Sequence, residues 1–90
     1  MRSRRTARFK SLFEKLPAEV QQSAKRAYAL FQRDPAQPRL QFKPLRADRQ
    51  TYSIRIGLGY RALSIRFDET LVWYWIGPHA EYDRLVSQLR

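Results

Sequence analysis

Between Ala7 and Leu16 the apolar residues Phe9, Leu12, Phe13 and Leu16 fall at i, i+3, i+4 and i+7, one helical stripe, and predict a first helix. Pro17 breaks this run. The next segment opens with Ala18 and Glu19, where an acid in the first turn complements the helix dipole. Val20, Ala24, Ala27, Tyr28 and Phe31 repeat at helical spacing until Asp34-Pro35 halts them, so the second helix runs from Ala18 to Gln32. The short link at Pro17 makes the two an antiparallel hairpin.

Past Pro35 and Pro38 the period drops to two. Leu40, Phe42 and Leu45 read as a short strand interrupted by Pro44, which argues for an edge or irregular position. Tyr52, Ile54 and Ile56 share a face of the strand Thr51–Ile56, and Arg61, Leu63, Ile65 and Phe67 share a face of the strand Tyr60–Phe67. Gly57-Leu58-Gly59 joins these two as a hairpin, and Asp68-Glu69 turns into a third strand, Leu71–Ile76, rich in aromatics. Gly77-Pro78 ends the sheet, and Tyr82, Leu85, Val86 and Leu89 predict a short closing helix. The expected class is α+β: an N-terminal helical hairpin packed on an antiparallel β-meander of three to four strands, then a short C-terminal helix, with the helices on one sheet face. The chain is expected to start directly with its basic first helix.

A length of 90 residues suits one domain, 1–90, and 43% apolar with 13% aromatic residues sets the chain apart from disordered sequences. Cysteine is absent, which excludes disulfides and thiolate chemistry. No signal-peptide pattern and no 18-residue apolar run occurs, so a soluble cytoplasmic protein without membrane contact is expected.

Charge changes the picture most. Eighteen Lys and Arg stand against eight Asp and Glu, for a net +10, and 14 of the cations are Arg. The guanidinium fork binds phosphate in bidentate fashion, so nucleic acid leads as partner, with an acidic protein as the other candidate. Arg39, Lys43, Arg46, Arg49, Arg55, Arg61 and Arg66 lie in one stretch with a single acid, Asp48. Interleaved with Tyr52, Tyr60, Trp73 and Trp75, they make the mixture that single-stranded nucleic acid favours, although aromatics at strand spacing also serve as core.

Two residues stand apart. Period two places Arg61 with apolar neighbours, so its charge needs compensation: a structural pair with Asp83 or backbone carbonyls, or a bound phosphate. His79, the single histidine, follows Gly77-Pro78 at a strand end. There it is either a helix N-cap or a surface residue, or a group that exchanges protons near neutral pH beside a phosphodiester.

The run Tyr52-Ser53-Ile54-Arg55-Ile56-Gly57-Leu58-Gly59-Tyr60-Arg61-Ala62-Leu63, followed by Trp75-Ile76-Gly77-Pro78-His79-Ala80-Glu81-Tyr82-Asp83, resembles the RelE/ParE superfamily of bacterial toxins from type II toxin–antitoxin systems. The likeness extends back through Leu16-Pro17, Asp34-Pro35 and the segment from Leu40 to Leu45. For the RelE branch it implies a helical hairpin on an antiparallel sheet, and ribosome-dependent, metal-free and cofactor-free cleavage of messenger RNA. In that reaction the 2′-hydroxyl attacks the adjacent phosphate. It also implies roles: Arg61 on the scissile phosphate, Arg55 as a basic strand residue, His79 where the family has arginine or histidine, and Tyr82 near the site. Lys43, Arg46 and Arg66 join Arg55 as expected RNA-binding cations, and Arg61, His79 and Tyr82 form the expected catalytic set.

Ser53 stands where RelE itself has a lysine, a candidate base or charge stabiliser that is lost here, and the resemblance to other branches implies the proton-transfer role for His79. The ParE branch shares the fold but poisons DNA gyrase, so a gyrase inhibitor or an inactive toxin is the alternative. The implied partners are messenger RNA, the ribosome and a cognate antitoxin, whose toxin-wrapping segment the +10 charge predicts to be acidic.

Overall fold

The computed structural model describes residues 2–89. In chain order these form β1 (Arg2–Arg5), α1 (Ala7–Glu14), α2 (Ala18–Arg33), a 3-10 turn (Pro38–Leu40), β2 (Lys43–Pro44), β3 (Thr51–Ile56), β4 (Tyr60–Phe67), β5 (Thr70–Pro78) and α3 (His79–Ser87). The class is α+β, as the hydrophobic pattern predicts. The strands form one sheet in the order β1-β5-β4-β3-β2, antiparallel throughout except that β1 runs parallel to β5.

The helical hairpin closes through side chains. Thr6 caps α1, its Oγ1 accepting from the Phe9 amide at 3.0 Å. At the other end Gln21 reaches back from α2, its Nε2 donating to the carbonyls of Phe13, Glu14 and Leu16 at 3.2, 3.3 and 3.1 Å, where the helix end runs short of amide donors. The hairpin lays Phe9, Leu12, Phe13, Leu16, Ala24 and Phe31 on the sheet residues Ile54, Ile56, Ala62, Leu71, Trp73 and Ile76. Phe31 meets the rings of Phe42 and Trp73 edge-on, at centroid distances of 4.8 and 5.9 Å.

Three details differ from the sequence expectation. The chain begins with a strand rather than a helix, so the sheet gains a fifth member. Arg2–Arg5 carries no apolar alternation. It is recruited by the open edge of β5, where the Arg2 amide donates to Glu69 O at 2.8 Å and the Thr6 amide to Trp73 O at 3.0 Å. Its arginines also suit an edge, since charge there discourages pairing with another chain. Second, α3 does not share a face with the hairpin. Tyr82, Leu85 and Val86 pack against Leu45, Leu63 and Trp75, on the opposite side of the sheet.

The third difference explains part of the second. Leu63 pairs with Trp75 while Ser64 pairs with Trp73, so Tyr74 is the extra residue of a β-bulge. The bulge resets the alternation. Trp73 and Trp75, which unbroken alternation would put on one face, point to opposite faces and are both core, each 4% exposed.

The loop from β2 to β3 is held by Asp48, which accepts from the Thr51 hydroxyl at 2.8 Å and the Gln50 amide at 3.0 Å; the Thr51 bond above all keeps this carboxyl below the usual range. Gly77 has a steric role: a Cβ there would stand 2.7 Å from Cζ2 of the buried Trp75 ring. Gly77→Ala should therefore overpack the α3 face and cost about 1–3 kcal/mol in denaturant unfolding. An unchanged midpoint would show that Trp75 can yield.

Candidate functional site

The site forms where β3 and β4 leave their hairpin. Arg55 and Arg61 are directly opposed across the two strands, so both stand on the α3 face. Opposed like charges repel. Arg61 is also buried, at 7% exposure, yet touches no carboxylate among the described residues: its Nη1 donates to Gln41 Oε1 at 3.1 Å and its Nη2 to Ser53 Oγ at 3.2 Å. Neither Asp83 nor a backbone carbonyl compensates it. Its Nε is buried with no partner. The guanidinium carbon lies 4.9 Å from the centre of the Tyr82 ring, a cation–π contact. Arg55 is steadied by its own hairpin, Nε donating to Gly57 O at 3.0 Å.

His79 is the first residue of α3, and the N-cap is Pro78, so the imidazole does not cap the helix. Its amide donates to Gly59 O at 2.8 Å, which ties the start of α3 to the same hairpin that carries Arg55 and Arg61. The ring stacks on Tyr82, with centroids 5.7 Å apart at 28°, and Nε2 lies 3.5 Å from Asp83 Oδ2. Tyr82 thus contacts both the imidazole and the Arg61 guanidinium. The His79 side chain is 55% exposed, open to a ligand. Among the described residues His79–Asp83 is the one pairing of a basic side chain with a carboxylate, and no described Lys or Arg has a described carboxylate within 4.0 Å. An anion entering here meets positive charge already held in place and not yet neutralised.

The remaining expected cations divide. Lys43 on β2 pairs with Ser53, which sets it on the Arg61 face, and it is exposed. Arg46 is exposed in the loop that follows. Arg66 is not brought to the site. It lies five positions from Arg61, roughly 16 Å along β4, on the opposite face, with Nε donating to Asp68 O at 2.9 Å. Gln41 and Ser53 are the contributors that sequence reasoning missed. Period two does place Ser53 on the Arg55 face, a signal that was available, whereas nothing local marks Gln41.

Solved structures share this architecture. The RelB–RelE antitoxin–toxin complex from Methanococcus jannaschii matches with a TM-score of 0.71 at 17% identity, covering 90% of this chain and 96% of that one. YafQ from Escherichia coli matches with 0.72 at 12% identity, over 91% and 98%. The RelBE2 toxin–antitoxin complex from Mycobacterium tuberculosis matches with 0.66 at 29% identity, over 87% and 96%. A search of curated protein sequences finds no match. The sequence profile of the ParE-like toxin domain covers residues 18–84, most of the chain, and with this fold it places the protein in that family, among the toxins of the RelE/ParE superfamily.

Proposed function

We propose that the protein is the toxin of a type II toxin–antitoxin system and that it cleaves messenger RNA on the ribosome without a metal ion. The observation that carries this reading is Arg61: a buried guanidinium with no counter-ion, opposed by Arg55 and joined through Tyr82 to an exposed imidazole. A buried charge left unneutralised is costly to the fold, and a bound phosphodiester would supply the missing anion.

The reaction needs a base, an acid and positive charge on the non-bridging oxygens. The 2′-oxygen gives up its proton and bonds to phosphorus, the bond from phosphorus to the 5′-oxygen breaks, and that oxygen takes a proton. A 2′,3′-cyclic phosphate and a 5′-hydroxyl remain. Arg55 and Arg61 hold the phosphate and stabilise the charge that builds on it, His79 carries one proton transfer, and Tyr82 hydrogen-bonds to the site or stacks on a base. Lys43 and Arg46 extend the contact along the RNA backbone. With so few acids near its cations, the protein suits a cognate antitoxin that covers this face with an acidic segment.

Induction should arrest growth, and primer extension should show cuts confined to translated messages. Broken DNA with an SOS response and intact messages would instead identify a gyrase poison, the alternative that the resemblance to the ParE branch implies. Affinity for a short RNA should fall with salt, the log–log slope changing by about 0.7 for each phosphate-contacting cation removed, Lys43 or Arg46 included. A slope unchanged in both variants would take those residues off the RNA.

A further inference from the structure

We infer that Gln41 is a positioning residue for Arg61, chosen for an acceptor that holds the guanidinium without neutralising it. This deepens the proposed function and rests on it.

The backbone makes the first point. Gln41 caps the 3-10 turn Pro38–Leu40 in the left-handed region, at φ 49°. Glycine and asparagine take that conformation readily, and most other side chains do not. The other non-glycine residue with positive φ is an aspartate, Asp68, in the β4–β5 turn, where such a residue is ordinary. A glutamine at φ 49° is a poor choice for the turn itself, which turns attention to what its side chain does.

The second point is what that side chain touches. Gln41 Oε1 accepts from Arg61 Nη1 at 3.1 Å, across 20 residues of sequence, while Ser53 Oγ takes Nη2 at 3.2 Å. Two acceptors on the two terminal nitrogens, the buried Ser53 and the exposed Gln41, set the plane of the guanidinium, and its buried Nε has no partner. Both acceptors are neutral. A glutamate would reach as far and bind Arg61 more strongly, but it would also cancel the charge that an RNA phosphate is to meet. Gln41 thus orients the fork while leaving its charge for the ligand.

Three variants separate this role from a structural one. Gln41→Glu creates a charge-assisted pair, so its melting temperature should rise while affinity for a 2′-O-methylated RNA trinucleotide falls at least tenfold, with cleavage on programmed ribosomes falling in step. Gln41→Asn suits the left-handed backbone but is one methylene too short for Nη1. It should melt no lower than the parent and lose roughly tenfold in affinity, about the effect of one hydrogen bond to a charged group. Gln41→Leu fills similar space without an acceptor and should lose as much. Parental trinucleotide affinity in the glutamate or asparagine variant, at unchanged or raised melting temperature, would overturn the assignment. The trinucleotide cannot be cut, so its affinity decides the role of Gln41 even where the ribosome assay is negative.

Discussion

His79→Ala should lower cleavage on programmed ribosomes by about 10²–10⁴-fold, the range for removing one positioned acid or base. Binding of uncleavable RNA should change little, because the phosphate contacts belong to Arg55 and Arg61. Folding should survive, since α3 is tied to the hairpin by the His79 amide rather than by its imidazole. The neighbours sharpen the expectation. Asp83 stands 3.5 Å from Nε2 and Tyr82 stacks on the ring, so the imidazole has an orientation that alanine abolishes. Rates within a factor of a few of the parent would remove His79 from the mechanism.

A second large effect is expected at Arg61, with the unusual feature that activity and stability part company. Arg61→Met should reduce cleavage by about 10²–10³-fold, as loss of a fixed donor to a developing oxyanion does, and should also weaken RNA binding. Its melting temperature should hold or rise. A buried charge that lacks a counter-ion costs the fold more than a well-packed thioether, and no carboxylate is orphaned by its loss. Among the described residues, the groups that lose a donor are Gln41 Oε1 and Ser53 Oγ. Arg61→Lys keeps a charge but not the fork that reaches Gln41 and Ser53 at once, so it should recover only part of the loss. A methionine variant that cleaves like the parent would end the phosphate role, and one that unfolds would show that the guanidinium is structural.

Much of the fold was legible in local pattern. The two helices, the glycine hairpin and the three long strands follow from periods of 3.6 and two, because each period records which side of an element is buried. Of the strand expected around Leu40, Phe42 and Leu45, Leu40 belongs instead to the 3-10 turn and only Lys43–Pro44 pairs, at the sheet edge, where Pro44 had argued for an edge or irregular position. The start of the chain was not legible, since Arg2–Arg5 has no buried face of its own and becomes a strand only by bonding to β5. The bulge at Tyr74 was hidden for a related reason: Trp73, Tyr74 and Trp75 are all aromatic, so no polar residue betrays the change of face.

The site divides in the same way. Arg55 and Arg61 can be paired from sequence by counting outward from the Gly57–Gly59 turn, and a common face follows from the pleat. That His79 and Tyr82 would reach them cannot be counted. It depends on α3 crossing to the face opposite the hairpin, where Leu63 and Trp75 offer apolar surface for Leu85 and Val86 to cover. Whether Arg61 would find an acid was likewise open in one dimension, and three-dimensional packing answered it with Gln41 and Ser53.

Local hydrophobic period and turn chemistry settled the elements and put two arginines side by side, because both act over a few residues of one chain. The convergence of guanidinium, phenol and imidazole came from contacts between segments distant in sequence: a bulge that turned Trp75 toward α3, and a glutamine held in a strained turn. Burial, which makes the charge of Arg61 consequential, is a property of the packed whole.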